Sequence, residues 1–264
     1  MLPRNVLREN KGNFLWETVE CPVKGDRKKI IAEHRLPLNT MLRKYMVNTP
    51  ARIAAFFGNA MQETQWLFLL HEGNDTAWYA PWDGRGFLQL THPYNYMDYW
   101  RYLGRHIEQT LYDGMKAASA THHSVRDDDW PGITDGVRNW RDALAGVGAD
   151  LPAELVCRPS DSAGFYWAKN KMAQYADKFN GVERKILPTN MGKRAYYHSS
   201  SFRDASAIVN LPAAVGNPDK KFKGYEARCV SYAQVLAILV DQALFADANG
   251  KLLDFPDGMI RRTE

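Results

Sequence analysis

The sequence predicts a mainly α-helical fold with one small β element, and three observations carry that prediction. Thr49-Pro50 ahead of Ala51-Arg52-Ile53-Ala54-Ala55-Phe56-Phe57 has the form of a helix start. Threonine serves as N-cap, and proline takes the first helical position, where its missing N–H costs nothing. Asp161 to Lys178 and Tyr225 to Phe245 place apolar residues at helical spacing. Gly84-Arg85-Gly86 interrupts any helix, and Phe87 to Leu90 is long enough only for a strand or an extended loop.

In chain order, residues 1–37 read as a charged N-terminal extension or linker with no fold of its own, and residues 38–246 as the main domain. Tyr94 to Leu103 is aromatic-rich and predicts a helix, with Pro93 near its start and Gly104 as its stop. Residues 113–160, rich in Asp and Gly and holding His122-His123, read as an insertion of weaker order. Tyr225 to Phe245 is the strongest amphipathic pattern and predicts a core helix. Asn249-Gly250, flanked by alternating residues, predicts a small hairpin within the C-terminal tail, residues 247–264.

Composition removes several classes. With 264 residues, 45% of them hydrophobic, the chain can bury a sizeable core and is not a disordered segment. A net charge of +4 against 34 basic and 30 acidic side chains does not indicate a nucleic-acid partner. Basic residues instead gather in the first 45 positions and again between Lys169 and Arg228, a distribution that favours an anionic polymer. The apolar run Val235 to Val240 is cut by Asp241 and is too short to span a bilayer. Arg4, Arg8, Glu9 and Lys11 leave no uninterrupted apolar stretch for a secretory signal. Cys21, Cys157 and Cys229 form no CxxC pair and read as packed thiols. His122-His123 with Asp127 to Asp129 fit no ligand spacing and read as a solvated loop, so no metal is expected. Gly84-Arg85-Gly86 lacks the Lys-Ser/Thr of a phosphate loop, and no cofactor is expected.

What remains is a pair of carboxyls. Glu63 lies at the end of the helix begun at Pro50, beside Phe56 and Asn59 at the edge of its apolar face, a partly desolvated position. Desolvation disfavours a carboxylate and raises its pKa, which suits a general acid. Glu72 follows in the polar stretch His71-Glu72-Gly73-Asn74-Asp75, where a carboxylate stays ionised. Glycoside hydrolysis needs this contrast: one protonated carboxyl for the leaving oxygen, one carboxylate to activate water. Trp78, Tyr79, Trp82 and Tyr94 add aromatic faces for sugar rings, with amides and hydroxyls nearby for their polar groups.

The run Ala55 to Thr64, AFFGNAMQET, and Asp83 to Tyr96, DGRGFLQLTHPYNY, resemble glycoside hydrolase family 19, the chitinase-like group that includes phage endolysins. Asn48-Thr49-Pro50-Ala51-Arg52 resembles the endolysin lead-in, and weaker likenesses lie at Ser162 to Trp167 and at Ile208-Val209-Asn210. The resemblance implies a lysozyme-like two-lobed helical domain with the small β element beside an active-site cleft. It implies Glu63 as general acid, Glu72 as general base, Thr91 holding the attacking water, and Gln89, Asn95 and Asn210 lining the cleft. Trp82 and Tyr94 join them as sugar-binding aromatics, and Arg228 matches a buried arginine near the catalytic pair. It also implies inversion at the sugar. Two departures stand out: Gln62 occupies a position usually held by histidine, and Leu211-Pro212-Ala213-Ala214 replaces a glycine pair.

The activity so implied is hydrolysis of the β-1,4 bond of peptidoglycan by a lysozyme-type muramidase, acting as an endolysin or a secreted antibacterial effector. A chitinase is the alternative, and a non-catalytic wall-binding module the second. The expected partner is the polysaccharide, without nucleic acid and without stable membrane insertion, on a monomer. An immunity protein is implied if the chain is a toxin. Without a signal, synthesis is expected in the cytoplasm, with a holin or an injection apparatus such as type VI secretion delivering the enzyme to the wall.

Overall fold

The computed structural model describes residues 26–66, 69–145, 158–189 and 192–259. Cys21, Cys157, residues 1–25 of the expected extension, 146–157 of the expected insertion and 260–264 of the tail lie outside the described residues. The elements are α1 (Asp26–Lys44), α2 (Pro50–Glu63), α3 (Pro93–Tyr102), α4 (Gln109–Ala120), α5 (Asp135–Asp142), α6 (Arg158–Lys169), α7 (Ala173–Ala176), β1 (Glu183–Thr189), β2 (Gly192–His198), α8 (Ser200–Asn210), α9 (Tyr225–Leu239), β3 (Phe245–Ala246) and β4 (Leu252–Leu253). The fold is mainly α, as its sequence predicts.

α2 begins as expected: Thr49 is extended and its Oγ1 accepts from the Arg52 N–H at 3.3 Å. A cap of this kind stabilises a helix by about 1 kcal/mol. α3 likewise starts on Pro93, and Gly104, at φ +76°, follows its end. Three expectations need correction. α1 runs through Pro37, so the boundary at residue 38 falls inside a helix. The helix expected over Asp161 to Lys178 breaks after Lys169: Lys171 takes φ +52°, and the Met172 N–H turns back to the Trp167 carbonyl, which drops Met172 into the core. α9 stops at Leu239 because Val240 is extended, and Phe245 packs edge-on against Tyr197 at 5.1 Å instead of extending the helix face. α9 is moreover buried nearly all round, from Tyr225 through Gln234 with the exception of Glu226, so it is a central helix rather than an amphipathic one.

Two antiparallel hairpins complete the fold. β1 pairs with β2 from Glu183 opposite His198 to Thr189 opposite Gly192. Its sequence, Glu-Arg-Lys-Ile-Leu-Pro-Thr, lacks apolar alternation, which is why the sequence does not announce it. β3 pairs with β4 around Asn249-Gly250, the expected terminal hairpin.

The apolar side chains gather in two clusters. One surrounds α2 and α9 and includes Phe56, Trp167, Phe202, Tyr232 and Leu236. The other joins Trp82, Tyr96 and Trp100 to Met115, Val125, Ile133, Val137 and Leu144. Residues 113–145 thus contribute packed side chains to a core. Asp127, expected in a solvated acidic loop, is mostly buried and holds Arg141 at 2.6 Å. Tyr45 and Tyr166 pack against both clusters. Cys229 is buried with a free thiol, as expected of a packed cysteine. No helix among the described residues is long and apolar enough to cross a membrane.

Candidate active site

Glu63 is the last residue of α2, and the chain turns sharply after it through Gln65 and Trp66, both at positive φ. Its side chain is 18% exposed, and its Oε1 receives a short contact from Arg228 Nη2. Arg228 on α9 is buried, and its Nη1 donates to Asn59 Oδ1 at 2.9 Å. Asn59 stands one helical turn before Glu63 on the same face of α2 and anchors its own Nδ2 on the Ala55 carbonyl. The helix edge therefore gives Glu63 the expected part-burial. Tertiary packing adds a buried cation on the same carboxyl.

Glu72 is exposed and held differently. Its backbone N–H donates to the Gly84 carbonyl at 2.8 Å, and the Gly84 N–H donates to Glu72 Oε2 at 3.1 Å. The Tyr79 hydroxyl donates to Oε1 at 3.2 Å. Burial first, then the Glu72 charge, raises the Tyr79 phenol above its ordinary value, so it remains a donor. Bridges between His71 and Arg85 and between Arg85 and Leu90 form the small β element beneath. Gly84 lets Gln89 approach closely: a Cβ there would stand 2.5 Å from Gln89 Oε1 and displace that side chain.

Asp83, absent from the sequence prediction, organises this loop. Its Oδ2 accepts from the Gly73 and Asn74 N–H groups at 2.8 and 3.1 Å, and Arg85 Nη1 donates to Oδ1 at 2.9 Å. Burial alone would raise the Asp83 carboxyl; Arg85, the Asn74 amide and His71 outweigh it and hold it below its ordinary value.

Each carboxyl lies near a different ring, Glu63 near Tyr166 and Glu72 near Tyr79 and His92. The fields of Glu63 and Tyr94 both act on the Tyr166 phenol, which burial, the larger cause, already pushes well up. Tyr94 stacks on His92 at 5.8 Å with planes 8° apart. Glu72 acts on His92, whose ring burial and the neighbouring His122 nonetheless hold below its ordinary value. The stack continues from His92 to Trp78 at 5.3 Å and from Trp78 to His122 at 4.3 Å. His122, expected in a solvated loop, is exposed but ends a ladder of rings beside Glu72.

The other candidates divide. Thr91 Oγ1 donates to the Gln89 carbonyl at 2.8 Å, which leaves its lone pairs as acceptors. Asn95 Nδ2 donates to the Thr91 carbonyl at 2.8 Å and its Oδ1 accepts from Lys169, so Asn95 supports Thr91. Gln89 Nε2 donates to the Gly86 carbonyl at 2.9 Å. Asn210 is exposed at the end of α8, two residues past Ile208, whose carbonyl accepts from the Tyr166 hydroxyl. Trp82 is a correction: it is fully buried, its indole N–H donates to the Val125 carbonyl at 2.8 Å, and it packs on Tyr96 and Trp100. A side chain so enclosed does not meet a ligand, and half-exposed Trp78 holds the position in the ring ladder instead. Tyr166, His92 and Asn59 were the signals to find, each a polar or ring residue within an otherwise apolar or strained stretch.

No protein-family model, curated protein or solved structure matches this chain.

Proposed function

We propose that this protein is a glycoside hydrolase of the lysozyme type, cleaving the β-1,4 bond between N-acetylmuramic acid and N-acetylglucosamine in peptidoglycan. Glu63 protonates the leaving oxygen, and Glu72 activates water for attack on the opposite face of the sugar, with inversion. Thr91 offers acceptor lone pairs to that water, and Tyr94, which ends the stack of rings, offers its outer face to a sugar. In this reading the two hydrophobic clusters are the two lobes, and the protein works on the bacterial wall as an endolysin or delivered effector.

The reading is supported by the contrast between a part-buried carboxyl on a helix end, in contact with the buried Arg228, and an exposed carboxyl on a loop, held by the Gly84 amide and the Tyr79 hydroxyl beside a group of aromatic rings. Arg228 fixes the rotamer of the first, and the Gly84 amide and Tyr79 that of the second, so neither needs substrate to be oriented.

Digestion of purified peptidoglycan and, separately, of chitin oligomers tests this, with the new reducing sugar identified by mass spectrometry after borohydride reduction. New reducing N-acetylmuramic acid is expected. Cleavage of chitin alone would make the enzyme a chitinase, and binding to walls without cleavage of either polymer would leave a wall-binding module.

A further inference from the structure

A cavity of about 520 Å³ opens between the β1–β2 hairpin, the start of α8, the loop after α8 and the start of α9. That volume suits a small organic ligand. Neither Glu63, Glu72 nor any residue of the ring ladder lines it. Its lining carries four cationic side chains, Lys185, Arg203, Lys220 and Lys221, against the carboxylates of Asp204 and Glu226.

These charges are not equally free. Arg203 is a staple: its guanidinium donates to the carbonyls of Ala214, Asn217 and Lys220 at 3.1, 2.6 and 2.8 Å, and so holds the loop as a cavity wall. Asp204 accepts from the Gly216 N–H at 3.1 Å on the same wall, and Lys185 pairs with Glu183 at 2.6 Å. Lys220 and Lys221 have no carboxylate within ion-pair distance among the described residues. His198 is engaged with the Tyr225 hydroxyl at 2.7 Å, and burial, then Lys185, holds its ring below the ordinary value. Tyr196 and Phe222 line the same space with aromatic rings, the Phe222 ring packing beneath the Arg203 guanidinium at 5.6 Å. α8 and α9 both begin at the cavity, and neither N-terminus has a side-chain cap, so two helix dipoles add positive potential to what the lysines provide.

We infer that this cavity is a second binding site, for a small phosphorylated molecule with a planar ring: the phosphate on Lys220 and Lys221, the ring against Tyr196 and Phe222. Lysine ammonium groups bind phosphate as point charges, whereas the arginine fork that would match a carboxylate is spent here on backbone carbonyls. The site does not rest on the glycosidase reading.

The test is an NMR titration of the full chain, following His198 and Tyr196, with inorganic phosphate, a nucleoside 5′-monophosphate, soluble poly(glycerol phosphate), and acetate at equal ionic strength. Saturable shifts are expected with the nucleoside monophosphate, at lower concentration than with inorganic phosphate. The exposed double variant Lys220→Ala/Lys221→Ala should weaken that binding roughly tenfold, and Glu63→Gln should leave it unchanged. Saturation by acetate at the same concentration would overturn the preference for phosphate. Tighter binding of the polymer than of the nucleotide would overturn the small-molecule assignment. An unchanged affinity in the double variant, or no saturable shift with any phosphate, would remove the site.

Discussion

Glu63 and Glu72 lie nine positions apart, yet the protein secures them by opposite means. Glu63 is held from inside, by a guanidinium that is itself buried and fixed by Asn59. Glu72 is held at the surface, by a backbone amide and a tyrosine on a loop that Asp83 folds. The first arrangement couples the carboxyl to the core, so perturbing it disturbs stability. The second couples it to a local network that can change while the core stands. The two carboxyls are thus held at two different depths of the same structure.

The largest expected effects lie at the carboxyls. Glu63→Gln and Glu72→Gln should each lower the rate of reducing-end release from peptidoglycan by roughly a thousandfold, the scale of general acid–base catalysis. An aryl glycoside whose leaving group departs without a proton separates them: the loss at Glu63 should shrink sharply and the loss at Glu72 persist. Equal losses on that substrate would contradict the assigned roles.

Next in size is Arg228→Met, which strands Asn59 and Glu63 without their buried cation. Destabilisation of about 3 kcal/mol is expected in urea unfolding, since removing one member of a buried pair leaves the other uncompensated. Tyr79→Phe, the matching deletion on the Glu72 side, should cost about 0.5 kcal/mol, because that hydrogen bond is open to solvent. Comparable losses for the two variants would erase the distinction of depth.

The smallest expected effect is on pH. Asp83 has its carboxyl held below its ordinary value of 3.8, so its contribution to stability is present above that value and is lost as pH falls through the lower, folded one. The Gly73 and Asn74 amide resonances should therefore move on acidification before the core unfolds, and Asp83→Asn should show the shifted positions already at neutral pH. Amides that move only with global unfolding would show that the loop is not independently held.

Much of the local architecture is legible in the residues. Thr49-Pro50 specifies the start of α2, Pro93 and Gly104 bracket α3, and Gly84-Arg85-Gly86 marks the turn against which Glu72 pairs, because caps, proline and glycine act over a few positions. Glu63 at the edge of an apolar face follows from the 3.6-residue period alone. The β1–β2 hairpin and the continuation of α1 through Pro37 escape such rules, since neither pattern shows its packing partner. The same limit governs the site. Trp78 and Trp82 stand in one polar, aromatic stretch, and only the packing of Tyr96 and Trp100 decides that Trp82 is core and Trp78 is open. Arg228 finds Glu63 across 165 positions, and Asp161 gathers Lys44, Tyr45 and Tyr99 across 117, 116 and 62. Local residue patterns alone set where α2 and α3 begin, where the chain turns at Gly84 and that Glu63 ends a helix while Glu72 sits on a polar loop. The tertiary structure alone decided which charge faces Glu63, which rings are exposed and that a basic cavity lies apart from both carboxyls, because burial and pairing depend on elements distant in the chain.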